Sequence, residues 1–342
     1  QCLYSSDLKN CNNCFLSVGL RNKSYCIKNV QYSKEEYLEK LNAYKLDTIL
    51  GSKTAFKEMQ DFVESFPRRF AKVIQCVNST GHQIDHAKNL KNSFWTMGPI
   101  ENSKNIFVTD QGQDSYDANN TGKISLCYEV ITTDESANTK FSIFVTKSNY
   151  AEYSLYCSAS SNIFGCIGLK KGSYSILNKK YSKEEYELLR SKLVAHMMNT
   201  KEYGEFFPSA ISTYAYNEAQ IQEWFPLSQQ EIEERSYSFR FIDRNKYKPT
   251  KTVKELENEK LLDIADNITS EVIECPVKGL NCMNVYRITE RELVIYKKLS
   301  CAIPSSCQNC RYGELIQDRP NPLLSSQPCE CISSNHEHTG NC

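Results

Sequence analysis

The stretch Gly19-Leu20-Arg21-Asn22-Lys23-Ser24-Tyr25-Cys26-Ile27-Lys28-Asn29-Val30-Gln31-Tyr32-Ser33-Lys34-Glu35-Glu36-Tyr37 recurs without a gap as Gly168 through Tyr186. Gly, Leu, Ser, Tyr, Ile and Asn stand at matching places, and the run Tyr-Ser-Lys-Glu-Glu-Tyr is identical in the two copies. A repeat this dense sets the architecture, because each copy must fold alike. Ser33 with Glu36, and Ser182 with Glu185, have the spacing of a capping box: the Ser oxygen accepts from the third helical N–H, and the Glu reaches back to the cap N–H. Apolar residues then follow at helical intervals, Tyr37, Leu41 and Tyr44 in one copy and Tyr186, Leu189 and Leu193 in the other. Each copy therefore reads as an extended stretch that turns sharply into a helix, which closes the end of a sheet and covers its open edge.

Upstream of each copy runs a short-period pattern of Asn, a small residue and an aromatic. It reads Leu8-Lys9-Asn10-Cys11-Asn12-Asn13-Cys14-Phe15 before the first and Tyr153 through Phe164 before the second, with similar pieces at Ala87–Phe94 and Asn102–Phe107. Asn tolerates turn geometry and can stack in ladders, while Ser, Cys and Phe fill an interior. The expected fold class is mainly β with flanking helices: irregular right-handed β-solenoid units capped by helices, followed by a small zinc-ribbon-like domain. An all-β sandwich is the alternative. The expected boundaries are 1–32 for the end of a first solenoid unit, 33–71 for its cap helix and a helical segment, 72–181 for a second unit, and 182–203 for its cap helix. An extended aromatic connector and linker follows over 204–270, polar around Glu255 to Lys260, then the ribbon-like domain over 271–322 and an incomplete second metal motif over 323–342. Within 33–71, Phe56, Met59, Phe62, Val63 and Phe66 mark one apolar helix face that Pro67 stops. A further capping box is read at Ser228 and Glu231.

Lys+Arg and Asp+Glu both number 41, giving a formal charge of zero, which argues against nucleic-acid binding by bulk electrostatics. No apolar run is long enough to span a bilayer, so no membrane partner is expected. The chain opens at Gln1 without Met and closes on Cys342 inside a metal-like motif, so both ends read as cut. Of the 16 Cys, eight fall between Cys275 and Cys342, several at ligand spacing, and the rest are spread along the solenoid-like parts as small buried hydrophobes. That distribution favours reduced Cys and a cytoplasmic setting over disulfides in an exported protein.

Cys307-Gln308-Asn309-Cys310 has the form of a zinc knuckle, in which two thiolates grip one tetrahedral ion. Cys275 and Cys282 are the candidate second pair, at wider spacing than is usual. Between the pairs, Thr289 and Glu292 cap a helix bearing Leu293, Ile295, Tyr296 and Leu299. So small a domain needs a structural metal to hold it, and Cys301 is read as packing. Cys329, Cys331, His336, His338 and Cys342 suggest a second zinc site that lacks its closing pair.

The second half resembles a family of zinc-ribbon proteins of small-genome, candidate-phylum bacteria. The residues that carry the likeness run from Cys166 to Leu169, through Tyr174, Asn178 and Tyr181–Tyr186, to Gly204–Pro208, Tyr216–Glu218 and Trp224–Leu227. They continue with Tyr286–Ile288, Glu292, Leu293, Tyr296, Pro304, Cys307, Cys310, Arg311 and Arg319–Pro322. The resemblance implies an Asn/Cys/aromatic solenoid followed by zinc ribbons, and implies no activity. It also implies that the ribbon after Cys331 closes with a further Cys pair, which is missing here. The stretched first knuckle, and Tyr312 where the family has His, depart from the pattern.

No catalytic constellation is read. Asp110, Asp114 and Asp117 could be paired carboxylates of a polysaccharide-active β-helix, or a solvated turn. His82 and His86 carry no motif. Phe239 through Lys248 mixes basic and aromatic residues in a way that can stack bases, or can pack as a connector. The expectation is a non-enzymatic scaffold or interaction protein that holds zinc and binds another protein. Nucleic-acid binding through the ribbon and connector is a second possibility, and a β-helix enzyme a third.

Overall fold

The computed structural model describes residues 1–66, 71–244, 246–317, 319, 322 and 323. Pro67, the expected helix stop, lies outside them, as do Cys329, Cys331, His336, His338 and Cys342. The described residues form two bodies, 1–66 with 214–319 and 71–213.

Both bodies contain parallel strands paired at an offset of about twelve residues. In the first, Cys2–Leu3, Asn12–Phe15 and Ser24–Ile27 pair so that Cys2 faces Cys14, which faces Cys26, each twelve positions on. In the second, the offset is 11 to 13 up to Phe107 and settles at 12 from there to Ile176.

The second body is buried with a period of three. Ile100, Ser103, Ile106, Thr109, Ser115, Ala118, Thr121, Ile124, Cys127, Val130, Thr133 and Ser136 all point inward, and the series continues through Cys166. From Asn102 to Gly165 the residue before each has φ between +45° and +63°, Gln111 excepted. Left-handed backbone costs an ordinary L residue about 1 kcal/mol, and Asn and Asp least among non-glycines. That is why Asn recurs. Its amide then stacks: Asn78 donates to Asn89 at 2.9 Å, Asn89 to Asn102 at 3.0 Å, and Asn92 to Asn105 at 2.8 Å.

The inward positions hold small residues that can also hydrogen-bond. Ser148 Oγ donates to the Thr146 carbonyl at 2.8 Å and accepts from the Ser160 N–H at 3.0 Å. Ser103, Ser115, Ser136, Ser142, Ser154 and Ser160 repeat the same pair of bonds. Cys127, Cys157 and Cys166 donate through Sγ to the carbonyl two residues back and to one nine residues on. Buried backbone groups that would otherwise lack partners are satisfied from inside.

Each repeat ends as its sequence implies. The Asn29 side chain accepts from the Val18 N–H and donates to the Val18 carbonyl, both at 2.9 Å, and Asn178 does the same to Ile167. These amides prolong the ladder while the chain reverses into antiparallel Ile27–Val30 and Ile176–Lys179 pairs. Gly19 and Gly168 sit at φ +70° and +68°. The capping boxes at Ser33 and Ser182 are present and start α1 (Lys34–Ala43) and α3 (Lys183–Asn199). Tyr37 and Tyr186 are buried and set edge-on against Tyr25 and Tyr174, at 5.7 and 5.8 Å between centroids.

The copies differ after the cap. α1 stops at Ala43, and the chain turns through Lys45 at φ +49° to the Thr48 cap of α2 (Ile49–Glu64). Ala55 and Met59 are its buried face, and Phe56 is exposed. In the second body α3 runs on, pinned by Arg190 to the buried carboxylate of Glu152 at 2.7 Å, and Tyr203 and Phe207 cover Phe141 and Tyr153.

The aromatic stretch folds more than an extended connector would. It contains α4 (Ile221–Trp224), α5 (Gln229–Glu234) with its Ser228 capping box, and α6 (Val253–Leu256), and from Tyr214 onward it belongs to the first body. The polar run around Glu255–Lys260 is not a free linker, because Leu256 and the adjoining Leu261 are both buried. With α7 (Glu290–Leu299) they build one core of Ile49, Val253, Leu256, Leu261, Ile264, Ile268, Ile273, Ile288, Leu293 and Ile303. α8 (Gln308–Gln317) follows.

Candidate metal centre

A short hairpin, Ile273–Glu274 against Val285–Tyr286, presents Cys275 and Cys282 at its tip. The Cys275 N–H donates to the Asn284 carbonyl at 2.7 Å and closes the loop between them. Cys307 lies just before α8 and Cys310 within its first turn, as a C-x-x-C pair at a helix start must. The four side chains converge. Their sulfurs all lie within 4.8 Å of one another, and all four residues are buried. Thiolates around one tetrahedral zinc, at about 2.3 Å each, stand roughly 3.8 Å apart. The Cys282 and Cys307 sulfurs are 4.0 Å apart, which fits.

Backbone N–H groups face the sulfurs: Cys307 N donates to Cys275 Sγ and Asn284 N to Cys282 Sγ, both at 3.3 Å. Burial pushes the Cys275 and Cys310 thiols up from their ordinary value. Burial opposes ionisation at Cys307 too, but N–H groups of Met283 and Cys310 and the neighbouring thiols outweigh it, and this thiol sits lower than usual. A divalent ion held by the four sulfurs would favour their thiolate forms and offset the burial penalty at Cys275 and Cys310.

The wide Cys275–Cys282 spacing works because its loop is held from outside. Arg244 donates to the Leu280 carbonyl at 2.8 Å, and Asn309, between the second pair, to the Asn281 carbonyl at 2.8 Å. The buried Asn217 donates to Asn281 Oδ1 at 3.2 Å. Tyr286 packs on the sulfurs and donates to the Pro304 carbonyl at 2.7 Å. None of Asn217, Arg244, Asn281 or Asn309 carries a spacing signal in the sequence. Cys301 stands outside the cluster, and the 13 described Cys are all free of disulfides.

The other sequence candidates are structural in their contacts. Asp114 and Asp117 end two Asn ladders, accepting from Asn102 at 3.2 Å and Asn105 at 2.7 Å. Asp110 flanks Gly122 with Asp134 on the other side. His82 Nδ1 accepts from the Lys72 N–H at 3.3 Å, and His86 pairs with Asp85 at 2.8 Å on the surface. In the basic-aromatic run, Arg240 is paired with Glu218 at 2.7 Å, and Phe241 and Tyr247 are exposed. No helix among the described residues is long and apolar enough to cross a membrane.

Comparison of the chain with protein-family models, with curated proteins and with solved structures gave no match.

Proposed function

We propose that this chain is a zinc-binding, non-enzymatic scaffold or interaction protein. In this reading, each right-handed β-solenoid unit presents its outer surface to another protein, and a zinc-ribbon-like domain is held together by its metal. The observation that carries the metal is the convergence of four buried Cys sulfurs within 4.8 Å. The constant twelve-residue offset supports the solenoid, because a sheet whose every strand faces the next segment of the same chain is what coiling produces. A cytoplasmic setting belongs to the same reading, since reduced thiols are what a zinc site needs. The test is elemental analysis of protein purified under reducing conditions, beside the Cys307→Ser/Cys310→Ser variant. About one zinc per chain, lost in the variant, is expected. A metal-free chain whose thiols titrate as oxidised would overturn the reading.

A second reading, single-stranded nucleic-acid binding through residues 239–248, draws support from exposed Phe241 and Tyr247 beside Lys246 and Lys248. It predicts a salt-sensitive mobility shift that Phe241→Ala weakens. Unchanged binding in that variant would remove it.

A further inference from the structure

The repeat breaks where another part of the chain meets it. α1 and α3 begin identically, yet α1 ends after 10 residues whereas α3 runs for 17. The turn that interrupts the first copy receives three backbone bonds from segments more than 200 positions away. Leu50 N donates to the Glu257 carbonyl at 3.0 Å, Leu261 N to that of Asp47 at 3.1 Å, and Ala302 N to that of Leu46 at 3.2 Å. Ile49, the first residue of α2, is 2 % exposed and sits in one core with Ile273, Ile288 and Ile303.

Two parts of that core lead directly into the thiols. Ile273 lies two residues before Cys275, and Ala302 and Ile303 lie five and four before Cys307. The hairpin that holds Cys275 and the strap that leads to Cys307 thus each supply one wall of the core that contains Ile49. Between them the described covalent path is the long one through α7. The two walls meet at the four sulfurs and at the Tyr286 hydroxyl on the Pro304 carbonyl, and a metal held by thiols from both would tie them together.

We infer that the Leu46–Leu50 turn is an intramolecular receptor for the Cys-rich domain, with Ile49 as its anchor, and that metal at the four thiols controls this docking. The inference rests on the proposed zinc site. With the ion bound, the two walls are fixed and grip Ile49. Without it they separate, and the helical turn of the first repeat is released while the strands of the second body stay intact.

Hydrogen exchange read by mass spectrometry on the full chain tests this, with zinc-loaded protein compared with protein stripped by a chelator. Peptides covering Leu46–Leu50 and Leu261 are expected to lose protection on stripping and to regain it when zinc is returned. The segment Ser161–Ile176 of the second body is the internal control and is expected to keep its protection. Zinc that binds and leaves without changing exchange at Leu46–Leu50 overturns the docking inference alone. Loss of protection in the control as well overturns it too, as general unfolding. A chain that takes up no zinc removes the metal site and the inference together. An Ile49→Asp chain adds a second arm: it is expected to expose Leu46–Leu50 even when loaded, and unchanged protection there would show that Ile49 is not the anchor.

Discussion

Asn105 shows what single residues contribute. Its φ is +55°, its amide accepts from Asn92 and donates to Asp117, and both bonds lie on the surface. Asn105→Ala loses two exposed hydrogen bonds and leaves in left-handed backbone a residue that tolerates it less well than Asn, which should cost roughly 2 kcal/mol. Asn105→Gly loses the same bonds but relieves the backbone, so it should cost less, and chemical denaturation of the two variants checks the order. Equal losses would show that the ladder, and not the φ, selects Asn. Inside, Cys127 makes with Sγ the contacts that neighbouring Ser residues make with Oγ. Cys127→Ser should therefore fold with a change of about 1 kcal/mol or less, whereas Cys127→Leu should overpack a position twelve residues from Ser115 on one side and Thr139 on the other. The same observation accounts for the buried Cys of the β bodies without chemistry. Cys14, Cys26, Cys127, Cys157 and Cys166 are interior residues that donate weakly to carbonyls, whereas Cys2 is exposed and Cys11 and Cys76 are half-buried; burial raises the Cys127, Cys157 and Cys166 thiols above their usual range, away from reactivity.

Among elements, the cap helices decide where each sheet stops. The Glu36, Glu185 and Glu231 carboxyls are held below the ordinary carboxylate range by the backbone N–H and hydroxyl of Ser33, Ser182 and Ser228. A depressed folded value means that the caps stabilise fully above the unfolded pKa of about 4.3 and that this contribution is lost as pH falls through the lower folded value. Thermal melts of Glu185→Gln against the parent should converge as pH is lowered below 4, and a constant gap would contradict the assignment. Ser182→Ala should cost about 1 kcal/mol at neutral pH. A larger loss is expected at Arg190→Ala, which leaves the buried Glu152 carboxylate without its partner, roughly 3 kcal/mol on chemical denaturation. That value is at the low end for such a pair because Arg190 is one-third exposed on its own side chain. These caps were legible because they rest on local rules: a Ser or Thr, a Glu three residues later and a run of apolar residues specify a helix start almost irrespective of context. α7 was read in the same way, but its Ile295 and Leu299, counted as apolar positions, are exposed, and Leu293 alone is fully buried. Periodicity indicates a helix but not which of its apolar residues face a neighbour.

Across the whole molecule, the sequence by itself determined the repeat, its capped ends, the predominance of β structure and the identity of the four thiols, because each depends on spacing within a few residues or on exact recurrence. It also carried a period of three in burial, visible from Ile100 to Cys166 once left-handed residues are known to precede each inward one, but a three-residue period belongs to neither an ordinary helix nor an ordinary strand. What only the tertiary structure decided is what distant segments do for each other. Arg244, Asn217 and Asn309 make the stretched 275–282 loop into part of a four-sulfur site, although no local pattern marks them. The aromatic stretch from Tyr214 onward joins the body that begins at Gln1, not the β strands that precede it in sequence. Ile49, which periodicity in α2 does not single out beside Phe56 and Phe62, belongs to a core whose other members come from residues 253–303. The physical reason is common to all three: the free energy of these contacts comes from groups that meet only after the chain has closed on itself, across 28 to 64 positions at the 275–282 loop and about 200 at Ile49, and no window of sequence short enough to have a period contains both partners.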